Sequence, residues 1–494
     1  MLLRARTFAL AAILLLFASP ARATNGVWTS TVRLPNYTYA VSLITGPDGA
    51  LWFSDFYPLA GGTGYIVRLD ATGNTMYFEM PNFSSFEGPI PTLSLGLTNV
   101  PPPPSGSPRQ LAFNWIAYNP IAQAGIESGL GTIDVDYPPR VKEYAGQNPG
   151  DPLYSARSTL EPIAFGIGSR NSPPEILSYA HARPSSSSSP ELIVGIPFPI
   201  TRNAPQTIFP IASQTANNYS LLDPIITGAD GNTWYLGSNA IGQINASGSL
   251  EFPLPSQPYS LTESNTSLWA TAFAFSGLPP LGLLKIGYTG SPQAIYRAPL
   301  LNFNYAMTAA TPDAVWSFSY DASIPVLYFM RMSQSGQWSA YPVASPLGVD
   351  VLPQVSTFTT TADGTLWAGV TNLFSAPGTS RLVSFRSNRV LSAQPLQLGL
   401  SMGRSAGVVV RETNYPSFTF TSSVPASCPL VVAPGTLPAS FVITATANSG
   451  DDCGVTFTDR DGISVWVPVT LPVQPSPKRQ ASSRVQRLSI FGHS

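Results

Sequence analysis

The chain is poor in charge, histidine and cysteine, and each shortage excludes something. Charged residues make up 10% of its 494 positions, against roughly 25% in ordinary soluble domains, and the formal net charge is -1. A body this close to neutral offers no electrostatic footprint for nucleic acid or for an anionic membrane surface. Histidine occurs twice, at His181 and His493, which argues against His-rich metal centres and Ser-His-Asp relays. HExxH, Walker and CxxC patterns are missing. Past the first 20 residues no run of roughly 18 uncharged apolar residues occurs, so no transmembrane helix is expected.

The chain is instead rich in turn formers and aromatics: 50 Pro, 40 Gly, and 11% Phe, Trp and Tyr within a hydrophobic total of 44%. Pro and Gly break helices and aromatic rings suit pleated sheets, so the composition favours short strands joined by turns. The N-terminus carries Arg4 and Arg6, an apolar run from Phe8 to Phe17, and then Ala21-Arg22-Ala23. This order is that of a signal peptide over residues 1–23, giving a secreted or periplasmic protein that begins near Thr24. Export places the two cysteines, Cys428 and Cys453, in oxidising surroundings. A disulfide between them is expected, closing a loop of about 25 residues and adding on the order of 3 kcal/mol.

A phrase recurs. GPDGALWFSD at Gly46 returns as GADGNTWYLG at Gly228 and TADGTLWAGV at Thr361. Aligned on the Trp, the repeating unit is an apolar strand, a turn, a Trp strand, a third strand such as YIVRLD, and a fourth that runs into Pro. Second strands centre on Trp52, Trp115, about Leu177, Trp234, Trp269, Trp316 and Trp367, which makes seven units. Four short antiparallel strands repeated in this way imply a β-propeller over residues 24–395. Asp-Gly between apolar runs predicts a tight primed hairpin turn, and the following Trp a packing residue between blades. VWTSTVRLP, residues 27 to 35, reads as a fourth strand without a blade before it and suits ring closure, with RVLSAQPL, 389 to 396, competing for the slot. Inserts PPPPSGSP (101 to 108) and RPSSSSSP (183 to 190) belong in surface loops.

From about Gln397 the Trp phrase stops. Strands such as SFTFTSS, ASFVITATA, CGVTFTD and SVWVPVTLPV alternate apolar residues with Ser and Thr. They predict a small immunoglobulin-like β-sandwich over 396–473, stapled by the disulfide. Residues 474–494 carry Lys478, Arg479, Arg484 and Arg487 without an acid, as expected of a basic, disordered tail.

LITGPDGALWFSD, IITGADGNTWYLGSNAIGQINASGSLEFPLP and TADGTLW resemble blades of the virginiamycin B lyase (streptogramin lyase) family, over about residues 25 to 395. The resemblance implies a seven-bladed propeller. In that family activity rests on His and Glu in the loops leading into first strands, with a magnesium ion. Here Tyr259 in QPYSLT and Tyr305 in NYAMT stand where the family has His, Val41 lies near that position in the first unit, and EPIAFG keeps Glu161-Pro162 but carries Ile163. A phenol near pKa 10 does not ordinarily replace imidazole as a base, so the lyase chemistry lacks its key residues.

In a ring these leading loops converge on one face. Glu161, Asp223, Tyr259 and Tyr305, with Asp55 just past the first Trp strand, are therefore the candidate ligand-binding residues. Such a Tyr-lined, acid-poor mouth suits a sugar or peptide; the plainer alternative is that the Tyr side chains pack and the Asp side chains cap turns. The favoured expectation is an exported, monomeric binding or interaction protein for a small molecule, glycan or protein, needing no cofactor. Its rival is a lyase or lactonase that uses Asp and Glu around a divalent cation, Mg or Ca.

Overall fold

The computed structural model describes residues between 18 and 472; outside the description lie, besides the two ends and shorter gaps, residues 57–63, 101–107, 146–162, 167–174, 182–190, 200–206, 212–224, 274–281, 298–307, 345–353 and 372–379. Among the described residues every regular element is a strand and no helix occurs. The chain is all-β, built of small antiparallel sheets.

Six successive four-strand meanders are described, five as separate sheets and the sixth as part of a larger one. The first opens with Tyr39–Thr45 and ends with Thr75–Glu79; the second runs from Thr92–Asn99 to Val141–Ala145, and the third from Ile163–Gly166 to Thr207–Pro210. The fourth spans Ile225–Thr227 to Gly248–Pro253, the fifth Gln257–Ser264 to Pro292–Arg297, and the sixth Thr308–Thr311 to Trp338–Ala344. A seventh contributes three strands, Gln354–Thr360, Leu366–Thr371 and Arg381–Ser387. Its fourth is Val27–Arg33 from the far end of the chain, paired antiparallel from Val27 opposite Ser387 to Arg33 opposite Arg381. Ala18–Thr24, which overlaps the stretch expected to be cleaved, pairs outside Val27–Arg33.

The repeated phrase builds its turn differently from the sequence expectation. A two-residue type I′ turn needs positive φ at both central residues. Here only the glycine has it: φ is 77° at Gly49, 78° at Gly231 and 79° at Gly364. Gly49 N donates to Gly46 O at 3.0 Å while Gly46 N donates to Ala50 O at 2.8 Å, a longer turn that ends in a left-handed glycine. Asp48 is freed for another task. Its carboxylate accepts the Trp52 indole N–H at 2.9 Å, the Ala50 N–H at 3.2 Å and the Arg68 Nε–H at 2.7 Å. Asp230 accepts the Trp234 indole N–H in the same way. In these two copies the phrase closes a turn and satisfies the indole that it buries, whereas Asp363 of the third accepts from Thr361 and Thr365.

First strands lie side by side in chain order, and that of the first unit also lies against that of the seventh. Side chains tie them together. Ser42, at φ 52° in a bulge of the first strand, accepts from Leu97 N at 2.7 Å, and Leu43 N donates to Thr357 Oγ1 at 2.9 Å. Thr45 Oγ1 donates to Thr360 O at 3.2 Å, and Thr360 Oγ1 to Ala310 O at 2.9 Å. The arrangement is propeller-like.

The C-terminal part does not stand apart from it. Ser464–Thr470 pairs with the outer strand of the sixth unit, Trp338 opposite Trp466 and Ala340 opposite Ser464, so one sheet continues through Cys453–Asp459 to Phe420–Ser423. A second sheet holds Val390–Gln394, Ser405–Thr413, Ser440–Ala445 and Leu430–Pro434. Val390–Gln394, the competitor for ring closure, therefore belongs here, and pairing passes to the C-terminal module ahead of the boundary expected at 395. Cys428 and Cys453 are joined, with Cα atoms 5.3 Å apart, and the bond links the two sheets. Phe441 and Phe457 meet between them at 4.6 Å.

Candidate ligand-binding site

Of the five residues nominated from sequence, Glu161, Asp223 and Tyr305 lie outside the described residues, and of Tyr259 only the strand is described, at a register shift in Gln257–Ser264. Asp55 sits within the strand Leu51–Phe56, opposite Ala40 and Tyr65, and is 1% exposed. Burial, and after it the charge of Asp55, pushes the Tyr77 phenol up to about 12. Asp55 and Tyr259 belong to the first and fifth units, which are not neighbours in the row of first strands. Among the described residues no three His, Cys, Asp or Glu side chains stand together as a metal-ion site.

A different site arises where the C-terminal module joins the sixth unit. Strand alternation sends successive side chains to opposite faces. On one face of the joined sheet, Ser339 Oγ donates to Leu391 O at 2.9 Å and Tyr341 Oη to Arg389 O at 2.8 Å. Gln337, one step earlier, pairs with both backbone groups of Ala393 at 3.1 Å. Alternate side chains from Gln337 to Tyr341 thus bond the backbone from Ala393 back to Arg389, two residues apart each time. Behind this ladder the Arg389 side chain is fully buried. It meets the carboxylates of Glu412 and Asp459 and, at 2.9 Å, that of Asp461. Burial raises the pKa of Glu412 and of Asp459 above the usual carboxylate range despite Arg389. The same hydrophobic cluster runs from Trp316, Phe329 and Phe385 to Val408, Phe457 and Val467, so units six and seven and the module share one core.

The opposite face is the cleft. Trp338, Trp466, Tyr328, Thr456, Thr458 and Ser464 line a cavity of about 550 Å³, and none of its lining residues is charged. Trp338 and Trp466 are 3% and 7% exposed and pack with Trp269 and Leu283 of the fifth unit. The position of Trp466 is set from below: a Cβ on Gly454 would come within 2.2 Å of its ring, so only glycine lets the indole lie flat there. The Trp338 indole N–H makes no hydrogen bond among the described residues. The cavity is uncharged, aromatic and hydroxyl-bearing, and its volume lies within the roughly 300–1,000 Å³ range of small-ligand sites.

No known family profile matches the chain, and no curated protein does. Among solved structures, the polysaccharide lyase Uly1 is similar at 8% identity over 71% of this chain and 90% of its own, with a TM-score of 0.40. BBS1N, crystallised with ARL6DN, is 12% identical over 68% of this chain and 97% of its own, at 0.29. The extracellular domain of a one-component system from B. thetaiotaomicron is 8% identical over 92% and 79%, at 0.18. These neighbours are all-β and propeller-like, and at such scores they carry no argument about the activity of this chain. Among the described residues no helix is long and apolar enough to cross a membrane.

Proposed function

We propose that the chain is an exported binding protein: a seven-bladed propeller closed by Val27–Arg33, carrying an immunoglobulin-like module on its sixth blade, with the ligand held in the cleft between the two. The observation that carries this is the uncharged cavity of about 550 Å³ between Trp338 and Thr458, which has surface to bind with and no group to do acid–base work. The closed ring is supported by the first strand of unit one lying against those of units two and seven, and export by the disulfide. The chain beginning at Thr24 should be screened by thermal shift against neutral oligosaccharides, proline-rich peptides, macrocyclic lactones and the ions Mg and Ca. A bound organic ligand raises the apparent stability in proportion to the logarithm of its concentration. The expected result is stabilisation by an organic ligand that Trp466→Ala abolishes. Stabilisation by Mg or Ca alone, lost in Asp55→Asn, would instead favour the lyase or lactonase built on carboxylates.

A further inference from the structure

Four buried tryptophans share one way of satisfying the indole. Trp52 and Trp234 donate to the turn aspartates Asp48 and Asp230, Trp269 to Ser264 Oγ at 2.8 Å, and Trp316 to Thr311 Oγ1 at 3.1 Å. In each case the acceptor lies four or five residues earlier, in the turn before the strand or at the end of the strand that precedes that turn. Trp338 breaks the pattern: its indole N–H is buried and unpartnered among the described residues, although the turn before it holds Ser333 and Ser335. A donor kept out of water without an acceptor is disfavoured, and proteins rarely leave one in that state. Trp338 is also the one of these five that lines the cleft.

We infer that the cleft takes a neutral saccharide, one of whose oxygens accepts the Trp338 indole N–H. This deepens the binding function proposed above and rests on it. Three features of the lining select the ligand class. The absence of charge among the lining residues gives no counterion for a carboxylate, phosphate or ammonium group. The hydroxyls of Tyr328, Thr456, Thr458 and Ser464 each donate and accept, which suits a ligand whose own groups do both. A peptide backbone in an extended left-handed conformation offers carbonyl acceptors with few donors, and would use half of that capacity. Finally, Trp466 and Tyr328 supply aromatic surface for the C–H face of a sugar ring, and the volume falls within the roughly 300–1,000 Å³ of small-ligand sites.

The chain from Thr24 should be titrated with neutral gluco-, manno-, galacto- and N-acetylglucosamine oligosaccharides, with a uronate oligosaccharide, and with a proline-rich peptide, following tryptophan fluorescence and binding heat. At least one neutral oligosaccharide is expected to bind, more tightly than the uronate. Trp338→Phe, which removes the donor, weakens that binding by roughly three- to tenfold. Thr458→Val, on the cleft wall and partly buried, weakens it while removing only a hydroxyl, and guards against a Trp338 variant that fails to fold. Binding of the peptide alone, sensitive to both variants, overturns the saccharide and leaves a binding protein. Saccharide binding that neither variant changes places the site elsewhere and overturns the inference. If no probe binds to the folded chain, the inference and the proposed function both fall.

Discussion

Replacing Arg389 by Met is the sharpest perturbation of the joint between the sixth unit and the C-terminal module. The side chain is fully buried and faces Glu412, Asp459 and Asp461. Methionine fills similar volume but leaves the acids without their cation. Breaking a buried pair by removing one partner costs about 3–5 kcal/mol, chiefly because the remaining charge is stranded away from water. The pH dependence adds a second, independent signature. Burial already holds Glu412 and Asp459 above the ordinary carboxylate range, and without Arg389 burial acts unopposed and raises them further. A carboxyl whose folded pKa exceeds its unfolded one keeps its proton longer in the fold. Stability therefore falls as pH rises from the unfolded value, near 4, through the folded one, and recovers as pH drops back. The cost of Arg389→Met is then greatest at about pH 7 and shrinks toward about pH 5. Urea unfolding followed by tryptophan fluorescence at the two pH values reads both quantities. Arg460→Met, at a side chain 60% exposed, serves as the control and should be near neutral. A cost below about 1 kcal/mol for Arg389→Met, or one identical at the two pH values, would refute the reasoning.

Other consequences follow from the joint, the turns and the closure. Gln337→Leu strands both backbone groups of Ala393 and should cost about 2–3 kcal/mol in urea unfolding, with loss of the module's protection from protease. Asp48→Ala leaves the Trp52 indole and Arg68 without their acceptor and should cost about 2–3 kcal/mol, whereas Asp363→Ala, in the exposed third copy of the turn, should stay within about 1 kcal/mol. Deleting residues 1–34 removes Val27–Arg33 and opens the edge of Arg381–Ser387; the truncated chain should aggregate in size-exclusion chromatography, while a chain starting at Thr24 stays monomeric.

What the sequence made legible is local. The Asp-Gly-x-x-Trp spacing marks a turn and a buried ring because both lie within ten residues, and Cys428 and Cys453 are close enough along the chain to pair by inspection. Even there the turn type escaped, since a left-handed glycine is common to several turns and only the bond from Gly49 N to Gly46 O tells them apart. The joint was illegible for a physical reason. Ser464–Thr470 adds to the sixth unit through backbone groups, which every residue carries alike. The acids that meet Arg389 lie 23, 70 and 72 residues away, and nothing in RVLSAQPL sets its arginine apart from a surface one. The cleft was hidden for the same reason. Trp338 reads as one more aromatic in a fourth strand until Thr456, Thr458 and Trp466 are brought opposite it by a pairing between segments more than a hundred residues apart. Loop residues such as Glu161, Asp223 and Tyr305 were nominated by analogy with a ring in which those loops converge, and the described residues hold none of them.

The most direct measurement is the indole ¹⁵N–H spectrum of the chain labelled at tryptophan, with the Trp338 resonance assigned by its loss in Trp338→Phe, recorded before and after saturation with a neutral oligosaccharide that raises the thermal stability. The Trp338 signal should move downfield, as a hydrogen bond forms to a proton that has none, with a smaller displacement at Trp466 and none at Trp52 or Trp234, whose partners are already in place. Saturation that leaves Trp338 unmoved would contradict the cleft as the binding site.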